Sequence, residues 1–377
     1  MRIAQIAPLT ESVPPRLYGG TERVVSHLTE ELVRRGHEVT LFASGDSRTD
    51  AELATSCVQS LRSDRRVTEP LTYHIIMLDE VRRRSRDFDI LHFHLDFLHF
   101  PMFRDMAHRT LTTLHGRLDR DDLQEVHRTF PDMPLVSISD DQRRPMPPVR
   151  WAGTVYHGLP RGLHTPPGSN GQRSYLAFLG RISPEKRVDR AIRIALRAGM
   201  PLKIAAKVDE ADTDYFDEQI HPLLDNPNIE FVGEIGEDEK AAFLGGSRAL
   251  LFPIDWPEPF GLVMIEAMAC GTPVIAWPCG SVPEIVDDGV TGFLVDSIEA
   301  AAGAIARTDL LDPRRIRKTF EQRFSVERMA DCYLELYRSL LRSEEFRVRQ
   351  RRPTQPSLPP MTSVSPRFSG VIEGLAD

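Results

Sequence analysis

Glu258-Pro259-Phe260-Gly261-Leu262, continuing through Glu266-Ala267-Met268-Ala269-Cys270-Gly271-Thr272-Pro273, reads as a strand end, a tight loop and a helix. The run before it, Ala249-Leu250-Leu251-Phe252-Pro253, is short and apolar, as a buried parallel strand is. Pro257 and Pro259 interrupt any regular element, and Gly261 lets backbone approach a ligand closely. From Leu262 the spacing turns helical and stops at Gly271, with Pro273 just beyond. Pro273-Val274-Ile275-Ala276 is the next strand. These residues predict a βαβ crossover whose helix N-terminus faces whatever binds at the strand ends.

Free amides and the positive end of a helix dipole suit a phosphate group. Glu258 lies just before that helix and Glu266 on its second turn. Carboxylates repel phosphate but accept hydrogen bonds from sugar hydroxyls, and a nucleotide sugar carries both kinds of group. Read singly, Glu258 is a solvated charge and Glu266 a helix-surface charge. Met264-Ile265 before Glu266 and Ala267-Met268 after it make a merely solvated carboxylate uncomfortable there.

The chain has 377 residues, enough for two domains with substantial cores. A net charge of −8 argues against a nucleic-acid binder, because phosphate backbones select basic surfaces. The basic residues are nearly all arginine; the lysines are Lys186, Lys203, Lys207, Lys240 and Lys318, and arginine content alone assigns no function. Cys57, Cys270, Cys279 and Cys332 lack the spacing of a zinc site or a disulfide framework. Met1 to Pro8 is too short an apolar run for a signal peptide, and no run approaches a membrane span, so a soluble cytoplasmic protein is expected.

Upstream, Arg2 to Ala7 predicts a first strand. A loop with Pro8, Pro14 and Pro15 then leads to Tyr18-Gly19-Gly20-Thr21-Glu22. Val24, Val25, Leu28, Leu32 and Val33 carry a helix that stops at Gly36, and Glu38–Ala43 is the next strand. The Gly19-Gly20 pair thus sits at a strand-to-helix junction, as a plain turn or as amides for a diphosphate. No GxGxxG follows strand one, and no GxxxxGK[ST] occurs anywhere. Residues 49–70 are polar and take no clear element. Asp89–His94, Thr110–Leu114 and Leu135–Ser139 predict strands, and Val155–Pro160 the end of another. His115 stands at the end of a buried strand, where ligands of open α/β sheets gather. His92, His94 and His99 invite a metal reading, but no carboxylate-and-histidine helix spacing supports it.

Residues 160–172, rich in Pro, Gly and Ser, predict a linker. A second α/β alternation starts at Tyr175–Leu179 and leads into Gly180-Arg181-Ile182-Ser183-Pro184-Glu185-Lys186-Arg187. Strands recur near 202–206, 228–232, 248–252 and 273–276, and the segments from Gly280 and Gly289 finish the sheet. Arg181 and Lys186 are surface charges flanking a loop, or cations aimed at the crevice that holds Gly261. Ser325 caps a last helix with Met329, Cys332, Tyr333, Leu336, Tyr337 and Leu340 on one side. From about residue 349 the chain is Pro- and Ser-rich without periodicity, and a disordered or loosely docked tail is expected.

With these residues in hand, the sequence resembles the family 4 glycosyltransferases of the GT-B fold over roughly residues 1–343. The Glu258–Glu266 motif with its Gly271-Thr272-Pro273-Val274 continuation carries most of the likeness. Gly180-Arg181 with Glu185-Lys186, Gly19-Gly20 and Gly280-Ser281-Val282-Pro283-Glu284 agree with it. The resemblance implies an α/β protein of two doubly wound Rossmann-like domains facing across a cleft. Residues 1–160 would form the acceptor-side domain and 172–322 the nucleotide-sugar domain. A helix over 323–343 would cross back to the first domain, and 344–377 would be a flexible tail.

The same resemblance gives the residues roles. Arg181 and Lys186 would hold the donor diphosphate in place of a metal ion, Glu266 the ribose hydroxyls and Glu258 the hexose hydroxyls. The amides of Phe260, Gly261 and Leu262 would contact sugar or phosphate, Gly19 and Gly20 would close on the diphosphate, and His115 would lie near the transferred sugar. His157 departs from the family's frequent Asn and receives no role. The expected reaction is retaining transfer of a hexose, UDP being the commonest donor nucleotide, with neither metal nor other cofactor. The acceptor is unknown and would bind near His92, His94 and Asp96, the alternative being that these three are structural; a lipid acceptor would imply peripheral membrane contact. Asp87-Phe88-Asp89, Asp119-Arg120-Asp121 and Asp212-Thr213-Asp214 read as strand-entry or helix-start residues rather than metal ligands. A sugar-nucleotide epimerase of the same fold and a non-catalytic nucleotide-sugar-binding protein are the alternatives. The first needs further acid and base groups; the second has no reason to keep all five of His115, Arg181, Lys186, Glu258 and Glu266.

Overall fold

A computed structural model describes residues 1–166 and 173–351. Residues 167–172 of the expected linker and 352–377 of the expected tail lie outside the described residues. Two parallel sheets account for the strands. In the first, β1 (Arg2–Ile6), β2 (Glu38–Ala43), β3 (Glu52–Thr55), β4 (Ile90–Phe93), β5 (Thr110–Thr113), β6 (Leu135–Ser137) and β7 (Trp151–Thr154) lie in the order β3-β2-β1-β4-β5-β6-β7. In the second, β8 (Tyr175–Ile182), β9 (Leu202–Val208), β10 (Ile229–Gly233), β11 (Ser247–Phe252), β12 (Val274–Ala276) and β13 (Gly292–Leu294) lie in the order β10-β9-β8-β11-β12-β13. Both are doubly wound. The order reverses at β1/β4 in one sheet and at β8/β11 in the other, so each has a crevice at those strand ends.

The central strands are covered on both faces, which is why they read as continuous apolar runs rather than alternating ones: Leu250, Leu251 and Phe252 are all buried, as are Ile90 through Phe93. Three local readings change. The unplaced polar stretch contains β3, an edge strand paired to β2 from Thr40↔Glu52 to Ala43↔Thr55. A short edge strand needs only one buried face, so its pattern is faint. Val155–Pro160 is not a strand: β7 ends at Thr154. Leu159 instead exchanges backbone bonds with the start of the last helix, Leu159 N to Phe324 O at 2.9 Å and Val326 N to Leu159 O at 2.9 Å. Val282–Ile285 is a short helix between β12 and β13.

The last helix runs from Val326 to Arg351, past the expected end at 343. Its Met329, Tyr333, Tyr337 and Leu340 are buried with Ile3, Val24, Leu28 and Leu32, under the first sheet; Cys332 and Leu336 pack at the margin. Burying each such side chain contributes on the order of 2 kcal/mol. This helix, following the second sheet in sequence, is therefore a structural part of the first half.

Candidate active site

Between the two crevices lies a cleft of about 470 Å³ lined from both halves. Every donor-side residue expected from the sequence, with His115, lines it: Gly19, Gly20 and His115 on one side, and Arg181, Lys186, Glu258, Phe260, Gly261, Leu262 and Glu266 on the other. The helix Leu262–Ala269 begins at Gly261, whose φ of 79° is left-handed and whose Cβ, if present, would lie 2.7 Å from Met264 Cε. Met264 N bonds Gly261 O at 3.0 Å, while Leu262 and Val263, whose amides come too early in the helix for an acceptor within it, line the cleft. Met264 to Ala269 are buried all round, so this is a core helix rather than an amphipathic one.

That burial decides what Glu266 does. Its carboxylate is 3% exposed and accepts from Lys240 Nζ at 2.7 Å. Lys240 Nζ also lies 3.1 Å from Glu237, which pairs with Arg23 of the first half at 2.8 Å and with His164 Nε2 at 3.0 Å. Burial raises the Glu237 carboxyl, but His164, Lys240 and Arg23 outweigh it and hold it down to about 2. His164, Glu237 and Glu266 bring ligand atoms within 4.8 Å of one another. The Lys240 ammonium already supplies the cation at that point.

Glu258 is paired with Lys186 Nζ and also accepts from Trp256 Nε1 at 3.1 Å. The Lys186 ammonium sits 4.9 Å from the centre of the Trp256 ring, a second favourable contact. Arg181 donates to Glu185 at 2.7 Å, with Asp209 and Asp212 each 3.6 Å away. Its buried Nε has no hydrogen-bond partner, leaving a donor for an incoming anion.

Gly280 and Ser281 hold up the Glu258 loop. Gly280 has φ of 60°, and a Cβ there would meet Glu258 N at 2.3 Å and Glu258 O at 2.5 Å. Ser281 N donates to Glu258 O at 2.9 Å and Ser281 Oγ to Phe260 O at 2.9 Å. The next turn ties the halves together: Glu284 accepts from the amides of Asp140 and Asp141, at 2.8 and 2.7 Å, and from Tyr156 OH at 3.0 Å. Ser139 Oγ donates to Pro259 O at 2.7 Å.

On the first wall, Gly19 has φ of 155°, and a Cβ would lie 2.7 Å from Pro15 Cβ. A Cβ on Gly20 would lie 3.5 Å from Leu262 Cδ1, so the Gly-Gly loop faces the helix N-terminus directly. His115 donates or accepts through Nε2 with His94 Nδ1 at 2.9 Å and stacks on His157 at 5.2 Å. Burial lowers its pKa to about 3, so the ring is neutral.

Of the two readings of His92 and His94, beside the acceptor or structural, their burial and bonds fit the structural one. Both are buried, at 0% and 3%, because β4 is a central strand; neither lines the cleft. His92 bonds Tyr337 OH and Thr113 Oγ1, each at 2.7 Å, and His99 bonds Thr112 Oγ1 at 2.9 Å. Asp96, the third, is exposed and outside the cleft lining. Of the three Asp-x-Asp runs, Asp89 is taken by Arg2, Asp121 opens a helix, and Asp212 lies beside Arg181.

Sequence reasoning missed Lys240 and Trp256, and it singled out Gly280 and Ser281 without their role as a buttress. One signal was present: with so few lysines, two of them neutralise the two site glutamates.

A family model for glycosyl transferases group 1 matches residues 163–323, and one for Glycosyltransferase Family 4 matches residues 18–192. Together they take in most of the chain. The chain belongs to the family 4 glycosyltransferases. Over 335 residues the transferase is 24% identical to an uncharacterized glycosyltransferase of Methanocaldococcus jannaschii, covering 77% of this chain and 85% of that one. It is 31% identical over 248 residues to D-inositol 3-phosphate glycosyltransferase of Saccharomonospora viridis, covering 59% of this chain and 54% of the relative, about half that protein's length. The fold matches Anabaena HepE, solved in complex with UDP and glucose, with a TM-score of 0.68 at 18% identity, covering 90% of this chain and 100% of the other. The transferase thus has the GT-B fold. Among its described residues no helix is long and apolar enough to cross a membrane.

Proposed function

We propose that this transferase moves a hexose from a nucleoside-diphosphate donor, UDP-linked, to an acceptor hydroxyl with retention of configuration and without a metal ion. The carrying observation is the convergence on one cleft of Arg181, Lys186 and an open helix N-terminus, opposite Gly19-Gly20 and His115. Glu258 and Glu266 stand at either end of that helix start, placed to accept from hexose and ribose hydroxyls. The structural neighbour's complex with UDP and glucose supports the UDP-hexose reading.

In this reading the C1–O bond to the diphosphate breaks, and a bond from C1 to the acceptor oxygen forms on the same face. The acceptor's proton passes to a departing phosphate oxygen. Negative charge grows on the leaving group, and Arg181, Lys186 and the helix amides stabilise it; each preorganised donor contributes on the order of 3 kcal/mol. Lys186 is held by Glu258 until the diphosphate competes for it. Water excluded between the halves cannot hydrolyse the donor.

A thermal-shift panel of nucleotide sugars tests the donor: UDP-hexoses should raise Tm above GDP- and ADP-sugars. Incubation with UDP-glucose and no acceptor should release UDP slowly, unaffected by EDTA. A new sugar still joined to UDP would identify an epimerase instead, and binding without release even when acceptors are supplied would identify a binding protein.

A further inference from the structure

His115 is the cleft end of a hydrogen-bonded chain that runs through the first half to the last helix. His115 Nε2 meets His94 Nδ1 at 2.9 Å, and His94 Nε2 meets Gln5 Oε1 at 2.9 Å. Gln5 Nε2 donates to Tyr337 OH at 3.2 Å, and Tyr337 OH meets His92 Nδ1 at 2.7 Å. His92 Nε2 then meets Thr113 Oγ1 at 2.7 Å, which bonds Tyr333 OH at 3.0 Å. From His94 inward, all members are buried.

Such a chain has a direction, and Gln5 sets it. An amide oxygen only accepts and an amide nitrogen only donates. With Oε1 on His94, the His94 proton is on Nε2, leaving Nδ1 as an acceptor. His115 must then donate from Nε2. Beyond Gln5, Tyr337 accepts from the amide and donates to His92, whose Nε2–H goes to Thr113. Each bond from His115 to Thr113 then has one donor and one acceptor. Burial holds His92 and His94 well below the usual imidazole value and His115 at about 3, so none carries the second proton that would blur the direction.

What remains is His115 Nδ1: unprotonated, shielded from solvent and without a protein partner, on a side chain lining the cleft. A lone pair there accepts from a hydroxyl. We propose that Gln5 and His94 are positioning residues that fix His115 as the Nε2–H tautomer, so that its Nδ1 accepts a hydrogen bond from a hydroxyl of the transferred sugar. Tyr337 of the last helix holds the inner end of the Gln5 amide. The assignment rests on the reading of the cleft as a nucleotide-sugar site. Its specificity consequence is a preference for a sugar bearing a hydroxyl at that point over its deoxy analogue, since a deoxy sugar leaves the buried nitrogen unpaired.

Long-range ¹H–¹⁵N NMR of the wild-type full chain should show His94 and His115 each protonated at Nε2 and bare at Nδ1. Gln5→Leu removes the acceptor; His115 should become a mixture of tautomers, and kcat/KM for UDP-glucose should fall about tenfold, the scale of one hydrogen bond. Gln5→Glu, which still only accepts on the His94 side, should keep the wild-type nitrogen signals and restore most of kcat/KM. A wild-type His115 protonated at Nδ1 overturns the proposal whatever the variants do. So does a folded Gln5→Leu with unchanged nitrogen signals and kcat/KM. If wild type neither binds nor turns over any nucleotide sugar, the donor-site reading fails instead; the tautomer measurement does not depend on that result.

Discussion

On the wall of the cleft built by the second sheet, the functional side chains are ions in pairs: Lys186 with Glu258, Lys240 with Glu266, Arg181 with Glu185. On the wall built by the first sheet, His115 is neutral and is held by a chain of neutral hydrogen bonds. Both arrangements fix side chains before a ligand arrives, but they fail differently. Removing one member of a buried ion pair strands the other charge. Removing one member of a neutral chain loses direction and leaves the net charge as it was. The charged wall therefore suits the diphosphate, where charge grows during reaction, and the neutral wall suits sugar hydroxyls.

The sharpest way to break this contrast is to empty the charged wall. Lys186→Ala and Glu258→Ala should stay folded yet lose turnover by at least roughly 100-fold, the effect of deleting a preorganised charge contact. Wild-type rates in either would remove these residues from the site. Next comes Gly280→Ala, which alters no charge. The Glu258 backbone must move, so kcat should fall by tens of fold, approaching the roughly 100-fold that a 1 Å misplacement costs. A crystal structure of the variant with an unmoved loop would exclude this route.

Glu266→Gln keeps the shape but weakens the pairing with Lys240. Nucleotide affinity, read by calorimetry, should weaken about tenfold, as for a hydrogen bond to a charged group. The neutral wall should show itself in pH profiles. Because burial holds His115 near 3, kcat/KM should have no acid limb near 6.5 from this residue; such a limb that vanishes in a His115→Gln variant would contradict its neutrality.

Stability separates the two halves once more. Burial holds His27 and His127 at about 4, below their ordinary 6.5, so the unfolded chain binds more protons at acid pH. Their stabilising effect is full above pH 6.5 and declines as pH falls from there toward 4. Glu237, held at about 2 against burial by His164, Lys240 and Arg23, acts at lower pH: its contribution is full above about 4.5 and is lost as pH falls toward 2. Tm measured across pH should show the two declines in that order.

Much of the site was legible because its signals are local. Gly261 and Gly271 adopt positive φ at the two ends of one helix, Pro273 opens the next strand, and the expected donor residues lie on the strand-to-helix connections or on the helices these open. The parallel α/β class follows from strands alternating with helices. Less legible were elements whose burial is one-sided or whose partners are distant. β3 was missed because an edge strand carries little pattern, and Val155–Pro160 looked like a strand because its apolar residues are buried at a hinge rather than in a sheet.

What the sequence by itself determined is where backbone must turn and which stretches must be covered, because glycine, proline and apolar spacing act over a few residues. Only tertiary structure decided which charge meets which. Lys186 and Glu258 are 72 positions apart, and Gln5, whose amide gives the histidine chain its direction, is 332 from its partner Tyr337. A buried carboxylate or imidazole takes its protonation and role from neighbours that the fold delivers, and those neighbours leave no mark at the residue's own place in the chain.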